Sequence, residues 1–195
     1  PFRGFADMLK TWNEGVDIPG VHPIYFTLDC LGDRRGSSAR TVLFIHLNHV
    51  EDRHLEPMSE SGVTPVYCPR ASAYFGHPDV GEHPYRKMLE YGLPVALGTD
   101  SLICLDTPDR ISILDEMRFL HRRDGIDSGQ LIRMATIDGA RGLEIDTEMV
   151  DLSPGRIGGL LAVSSGGRSS NLRDVLESNE APRWLLEPAE GPDRA

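Results

Sequence analysis

The chain lacks several features that would place it in a specialised class of protein. Its 195 residues contain no apolar run close to the roughly 20 residues that a membrane span requires. The amino terminus has no basic segment followed by an apolar one, as a secretory signal would. These absences predict a soluble, cytoplasmic protein without a membrane partner.

Cysteine is also scarce. Cys30, Cys68 and Cys104 are odd in number and widely spaced, and no CxxC pair occurs. Such a pattern suits a reducing compartment better than a disulfide framework.

Positive charge is sparse and scattered. The 20 Lys and Arg residues form no basic stripe, and the formal net charge is -10. A chain of this charge repels a phosphate backbone, so a nucleic-acid partner is not expected. The remaining composition, with 39% hydrophobic residues, is that of a globular protein able to bury a core. Whether the protein forms a homo-oligomer is left open.

Short apolar runs alternate with helical patterns along the chain, which predicts an α/β fold. The runs at 41–46, 64–68 and 93–98 resemble strands buried on both faces, and each is followed by turn residues. Ser112 is the expected cap of one following helix and Asp127 of the next. One more strand is predicted near 160–163, after a domain boundary near residue 150.

Residues at the carboxyl ends of the predicted strands are the candidates for chemistry, because loops converge there in parallel α/β folds. His46 and Asp100 are residue types that bind a metal and activate water. Two alternatives remain open: Asp100 as a turn or helix cap, and His46 as a histidine satisfied by its neighbours. For Cys68 we expect core packing rather than nucleophilic chemistry.

Five motifs occur in a fixed order between about residues 35 and 165. They are TVLFIHLNH from Thr41, VYCPR from Val66, VALGTDS from Val95, MATIDGAR from Met134 and LSPGR from Leu152. Together they resemble the second half of the amidohydrolase superfamily. The resemblance is greatest to the branch of triazine chlorohydrolases and of guanine and S-adenosylhomocysteine deaminases.

The resemblance implies a fold and a set of site residues. Residues 1–150 would form the C-terminal portion of a TIM barrel, roughly strands 6 to 8, and residues 151–195 the start of a small β domain with a flexible tail. The implied roles are His46 as the electrophile that polarises a small-molecule substrate, Asp100 as metal ligand and proton shuttle, and Ser101, Arg70 and Ser72 as substrate contacts.

The resemblance further implies a divalent metal, zinc or alternatively iron, and hydrolysis of a non-peptide carbon–nitrogen bond, as in deamination or dechlorination of a cyclic or nucleobase-like compound. The family's HxH pair and its fifth-strand histidine and glutamate are absent from this chain. We therefore expect the 195 residues to be inactive alone. The alternative hypothesis is a non-catalytic homologue that acts as a scaffold or oligomer partner.

Overall fold

The structure is a computed structural model, and it describes residues 22–31, 41–79, 81–107, 109–152, 154, 157–164 and 171–188. The described residues fall into two units, one ending at Gly32 and one beginning at Asp33. The first contains helix α1, Pro23–Leu31. Proline at the first helical position is favourable because its missing N–H would have no helical partner there.

The second unit contains the remaining elements, in an order that confirms the mixed α/β class. In chain order they are β1 Leu43–Ile45, α2 Asp52–Ser61, β2 Thr64–Tyr67, α3 Pro69–Tyr74, α4 Tyr85–Glu90, β3 Ala96–Leu97, α5 Ile113–Asp124, α6 Ser128–Ala135, α7 Ile137–Gly142, β4 Leu160–Ala162, α8 Leu172–Glu177 and β5 Arg183–Leu186.

Strands β1, β2 and β3 form one parallel sheet with β2 in the middle. Helices connect the successive strands, as parallel pairing requires. The carboxyl ends of all three strands consequently meet at one edge of the sheet. Among the described residues, β1 and β3 each pair with a strand on one side only.

Helices cover the sheet with fully buried apolar side chains. Leu55, Met58, Met88, Leu131 and Met134 have no exposed surface. Burying such a side chain contributes about 1.5–3 kcal/mol each. These residues come from three different helices, α2, α4 and α6, so the core ties the helical layer together.

Glycine lets α7 pack closely against the sheet. A Cβ atom at Gly142 would lie 2.9 Å from Leu43 Cδ2 and 3.0 Å from Thr64 Cγ2. Only a residue without a side chain permits this approach to β1 and β2.

The capping predictions agree with the observed helix starts. The Ser112 hydroxyl accepts a hydrogen bond from the Leu114 N–H, and the Asp127 carboxylate accepts one from the Gln130 N–H. The helix that Asp127 caps ends at Ala135 and a second helix, α7, follows, because the backbone at Thr136 leaves the helical region with φ -123° and ψ -81°.

Strands β4 and β5 form a separate antiparallel pair with exposed faces. Ser153, Gly155 and Arg156 of the LSPGR motif, residues 165–170 and the tail from residue 189 lie outside the described residues. No described helix is both long and apolar enough to cross a bilayer.

Candidate active site

The structure brings His46 and Asp100 together at the carboxyl edge of the parallel sheet. His46 directly follows β1, and Asp100 follows β3. Their Nε2 and Oδ2 atoms lie 3.9 Å apart, although β2 separates the two strands. The distance exceeds that of a hydrogen bond, so the two side chains face a common space without bonding each other.

Both residues occupy an unfavourable backbone conformation. The φ angles are 72° at His46, 53° at Leu47 and 59° at Asp100. The Leu47 N–H donates to the Ile45 carbonyl at 3.1 Å, which makes His46 the centre of a tight three-residue turn. Such conformations cost about 1–3 kcal/mol each and are concentrated at functional sites.

Neither side chain has the hydrogen bonds that a purely structural role would require. Among the described residues, the imidazole of His46 and the carboxylate of Asp100 make no hydrogen bond, and 47% and 27% of the respective side chains are exposed. A capping aspartate would accept a backbone N–H. The geometry therefore favours neither the cap interpretation of Asp100 nor the satisfied-histidine interpretation of His46.

A cavity of about 220 Å³ surrounds the pair. Ser72, predicted as a substrate contact, lines this cavity, and its hydroxyl donates to Asn48 Oδ1 at 3.0 Å. The cavity is smaller than a typical ligand pocket of ~300–1,000 Å³.

Four residues that line this cavity were not predicted from the sequence: Asn48, Ala71, Phe75 and His77. Asn48 lies two residues after His46 in the loop that follows β1, which is a signal that could have identified it. Phe75 and His77 follow α3, and only the folding of that segment back over the sheet edge brings them to the cavity.

Two predicted substrate contacts do not lie in this cavity. Arg70 is only 4% exposed, and its guanidinium pairs with Glu116 at 2.6 Å and Asp106 at 2.9 Å. It lines a different cavity, of about 550 Å³. Because the buried carboxylate of Glu116 already engages it, the geometry favours a structural role for Arg70 over the predicted contact with substrate.

Ser101 is also absent from the described lining of the His46–Asp100 cavity. Its hydroxyl lies 3.5 Å from Cys104 Sγ at the start of a short 3₁₀ turn, Leu102–Cys104. The structure gives Ser101 no contact with the cavity that its neighbour Asp100 lines.

Cys68 packs in the core, with Ala71 and Cys104. Burial, with the charge of Asp100 as a smaller contribution, raises the pKa of its thiol to about 12. The thiol is therefore protonated at neutral pH and is not a nucleophile.

The segment that carries Asp100 leaves β3 through a crowded position. A Cβ atom at Gly98 would lie 2.9 Å from both Cys68 Sγ and Val66 Cγ1. Glycine therefore lets this segment pass directly against β2 on its way to Asp100.

The side chains of His46 and Asp100 are types that bind a divalent metal, but two ligands are few for such a site. Carboxylate oxygen and imidazole nitrogen are both zinc ligands, and Asp100 has no competing hydrogen bond within the described residues. The described part of the chain contains no group of three or more His, Cys, Asp or Glu side chains that could hold a metal. Zinc sites generally use at least three protein ligands.

Comparison with known proteins identifies the family. The sequence profile of the amidohydrolase family matches residues 33–181. A 5-methylthioadenosine/S-adenosylhomocysteine deaminase of Syntrophobacter fumaroxidans is 32% identical over 123 residues, 60% of this chain and 27% of that protein. An S-triazine hydrolase of Gordonia rubripertincta is 31% identical over 134 residues, 66% of this chain and 26% of that protein.

A solved structure shows the same fold. The zinc complex of atrazine chlorohydrolase from Arthrobacter aurescens TC1 superposes with a TM-score of 0.59 at 19% identity, over 77% of this chain and 38% of that one. With the family match, this similarity implies a fold of TIM-barrel type.

The chain spans about a quarter of the length of the two curated relatives. Their names confirm the branch that the five motifs indicated. Since the family profile matches well over half of its residues, the chain belongs to the amidohydrolase family.

Proposed function

We propose that this chain is part of a metal-dependent hydrolase that acts on a non-peptide carbon–nitrogen bond of a small molecule. The observation that carries the proposal is the approach of His46 Nε2 to Asp100 Oδ2, 3.9 Å apart at the carboxyl ends of two parallel strands. The relatives named deaminase and triazine hydrolase favour deamination or dechlorination of a cyclic or nucleobase-like substrate.

In this proposal Asp100 is the metal ligand and accepts a proton, and His46 is the electrophile. A bound divalent ion, zinc or alternatively iron, would supply Lewis acidity that lowers the pKa of water to ~7. The imidazole of His46 would donate to the substrate atom that gains negative charge. Ser72, which lines the same cavity, would contact the substrate.

We also propose how the chain contributes to the complete enzyme. Residues 1–150 would supply strands 6 to 8 of a TIM barrel, with β1, β2 and β3 as those strands, and residues 151–195 would return to a small β domain that includes β4 and β5. The other metal ligands would come from the remainder of the barrel, because the described residues hold no three-donor group.

The same lack of a three-donor group favours a second candidate, a non-catalytic homologue that serves as a scaffold or oligomer partner. The strained backbone at His46 and Asp100 argues for the enzyme, because a scaffold gains nothing from retaining two unfavourable conformations around an open cavity.

Metal content of the full-length protein tests the proposal. We expect Asp100→Asn to lose most of the bound metal, measured by inductively coupled plasma mass spectrometry, together with hydrolysis of a panel of guanine, S-adenosylhomocysteine and triazines. Asp109→Asn is the matched control, because Asp109 pairs with Arg110 outside the cavity. Equal metal occupancy in Asp100→Asn and wild type would contradict the ligand role.

A further inference from the structure

His83 contacts the backbone of His46. It lies in the loop before α4, outside the lining of the His46–Asp100 cavity. Its Nε2 atom is hydrogen-bonded to the carbonyl oxygen of His46, at 2.5 Å. Its ring stacks on that of Tyr67, with centroids 3.7 Å apart and planes inclined by 15°.

A second hydrogen bond determines which nitrogen of His83 carries the proton. The Tyr85 N–H donates to His83 Nδ1 at 3.1 Å. Nδ1 therefore acts as the acceptor, and the proton of the neutral ring resides on Nε2, from which it is donated to His46. Burial lowers the pKa of His83 to about 4, so the neutral ring persists at physiological pH.

The residues that hold the His83 ring are themselves fixed. The Tyr85 hydroxyl donates to Asp124 at 2.7 Å, and Arg123 donates to the Tyr67 hydroxyl at 3.1 Å. Both tyrosines are at most 2% exposed. The end of α5 thus anchors two aromatic rings that keep His83 in place.

The turn at His46 needs such support. Its N–H donates to the Val66 carbonyl at 2.9 Å, which anchors one side of the residue to β2. Its carbonyl lies beyond the last residue of β1, and His83 is its partner. Released from this bond, a non-glycine residue with φ 72° would be free to return to a favourable backbone conformation and turn its side chain elsewhere.

We propose that His83 is a positioning residue that holds His46 in its left-handed turn with the imidazole facing Asp100. This inference rests on the proposed function, because it matters to catalysis only if His46 acts there.

Two substitutions separate the hydrogen bond from the ring stacking. His83→Gln places an amide donor near the position of Nε2 but loses the ring, whereas His83→Phe keeps a ring on Tyr67 but loses the donor. His121→Phe is the matched control, because the ring of His121 is also bonded to a backbone carbonyl, that of Ile126 at 3.1 Å, away from the cavity. His83→Ala replaces the Phe variant should the latter fail to fold.

In the full-length protein we expect His83→Phe to raise amide exchange of residues 45–48 about tenfold, and to lower kcat at least about tenfold with KM changed less than about threefold. His83→Gln should recover most of both losses, and His121→Phe should change neither. Hydrogen exchange is followed by mass spectrometry and kcat with the substrate panel above.

The inference would be overturned if residues 45–48 of His83→Phe exchanged their amide protons at the wild-type rate. It would also be overturned if the Gln and Phe variants lost amide protection and kcat equally. If the wild-type protein hydrolyses none of the panel, the proposed function fails. The exchange measurement still decides whether His83 holds the turn, so the two failures are distinguishable.

Discussion

At the scale of single residues, the environment gives the same residue type different roles. The imidazole of His46 is exposed in the cavity beside Asp100, whereas that of His83 is stacked on Tyr67 and kept neutral by burial. Sequence context identified only His46 as a candidate for chemistry, because His46 directly follows an apolar run. The partner of His83 is a carbonyl 37 residues earlier in the chain.

The lowered pKa of His83 predicts how its protonation affects stability. The native pKa of about 4 lies below the ordinary value of 6.5, so between these pH values the unfolded chain binds a proton that the native protein does not. This contribution to stability is complete above pH 6.5 and is lost as the pH falls toward 4. The hydrogen bond to the His46 carbonyl opposes this lowering of the pKa, whereas the charges of Arg123, His46 and His77 near the ring add to it.

Histidine resonances of ¹³C-labelled protein test this prediction, with His83→Gln used to assign the signal. We expect His83 to show no titration above pH about 5, and the wild-type unfolding midpoint to fall more steeply with acid than that of His83→Gln. A titration of His83 centred near 6.5 would show the prediction to be wrong.

The buried ion pair of Arg70 gives a prediction about stability. Glu116 is fully buried and accepts from both the side chain and the backbone N–H of Arg70. Glu116→Gln leaves the buried guanidinium with only the exposed carboxylate of Asp106 as a counter-charge, so we expect a loss of about 3 kcal/mol in the free energy of unfolding, measured with denaturant.

The control is Glu177→Gln, which removes the exposed pair with Arg173 on α8. Exposed ion pairs contribute little to stability, so the free energy of unfolding of this variant should equal that of the wild type. If the two variants were equally stable, the buried pair would not have the structural role assigned to Arg70.

At the scale of elements, the paired strand β3 is shorter than the apolar run that predicted it. The run at 93–98 forms only the two-residue strand β3, although Leu93 and Val95 are also buried. These two positions are buried without pairing in the strand, so hydrophobicity alone overestimated the length of the paired strand.

The close packing of Gly98, directly after β3, predicts that one added methyl group lowers stability. Gly98→Ala would place Cβ 2.9 Å from Cys68 and Val66, and overpacking of this kind costs about 1–3 kcal/mol. The shift needed to relieve the contact would move Asp100, so metal occupancy should fall along with the unfolding midpoint.

Gly81→Ala is the matched control, because a Cβ there would meet no atom within 4 Å. Calorimetry should find its unfolding midpoint close to that of the wild type. A similar midpoint for Gly98→Ala would mean that β2 and β3 separate easily, contrary to the close packing in the structure.

At the scale of the whole molecule, the described chain exposes surfaces that usually lie inside a protein. Ile45 on β1 is 54% exposed, and Trp184 and Leu185 on β5 are 49% and 56% exposed. Strands β1 and β3 each present an edge that no described strand covers. Exposed edges and apolar patches promote association.

We therefore expect the 195 residues expressed alone to be poorly soluble, without bound metal and inactive. Size-exclusion chromatography with light scattering, metal analysis and the substrate panel check this, with the full-length protein as control. A monodisperse, metal-loaded and hydrolytically active 195-residue product would contradict the proposal that further ligands lie elsewhere in the barrel.

The sequence by itself determined the family, the order of strands and helices, and His46 and Asp100 as candidates, because strand periodicity, caps and short motifs are local patterns. It did not determine which candidates share a cavity. The 3.9 Å approach across β2, the arrival of His77, the pairing of Arg70 with Glu116 and the support of His46 by His83 all join residues distant along the chain. Only tertiary packing decides such contacts, because they depend on how neighbouring strands and their covering helices are placed against one another.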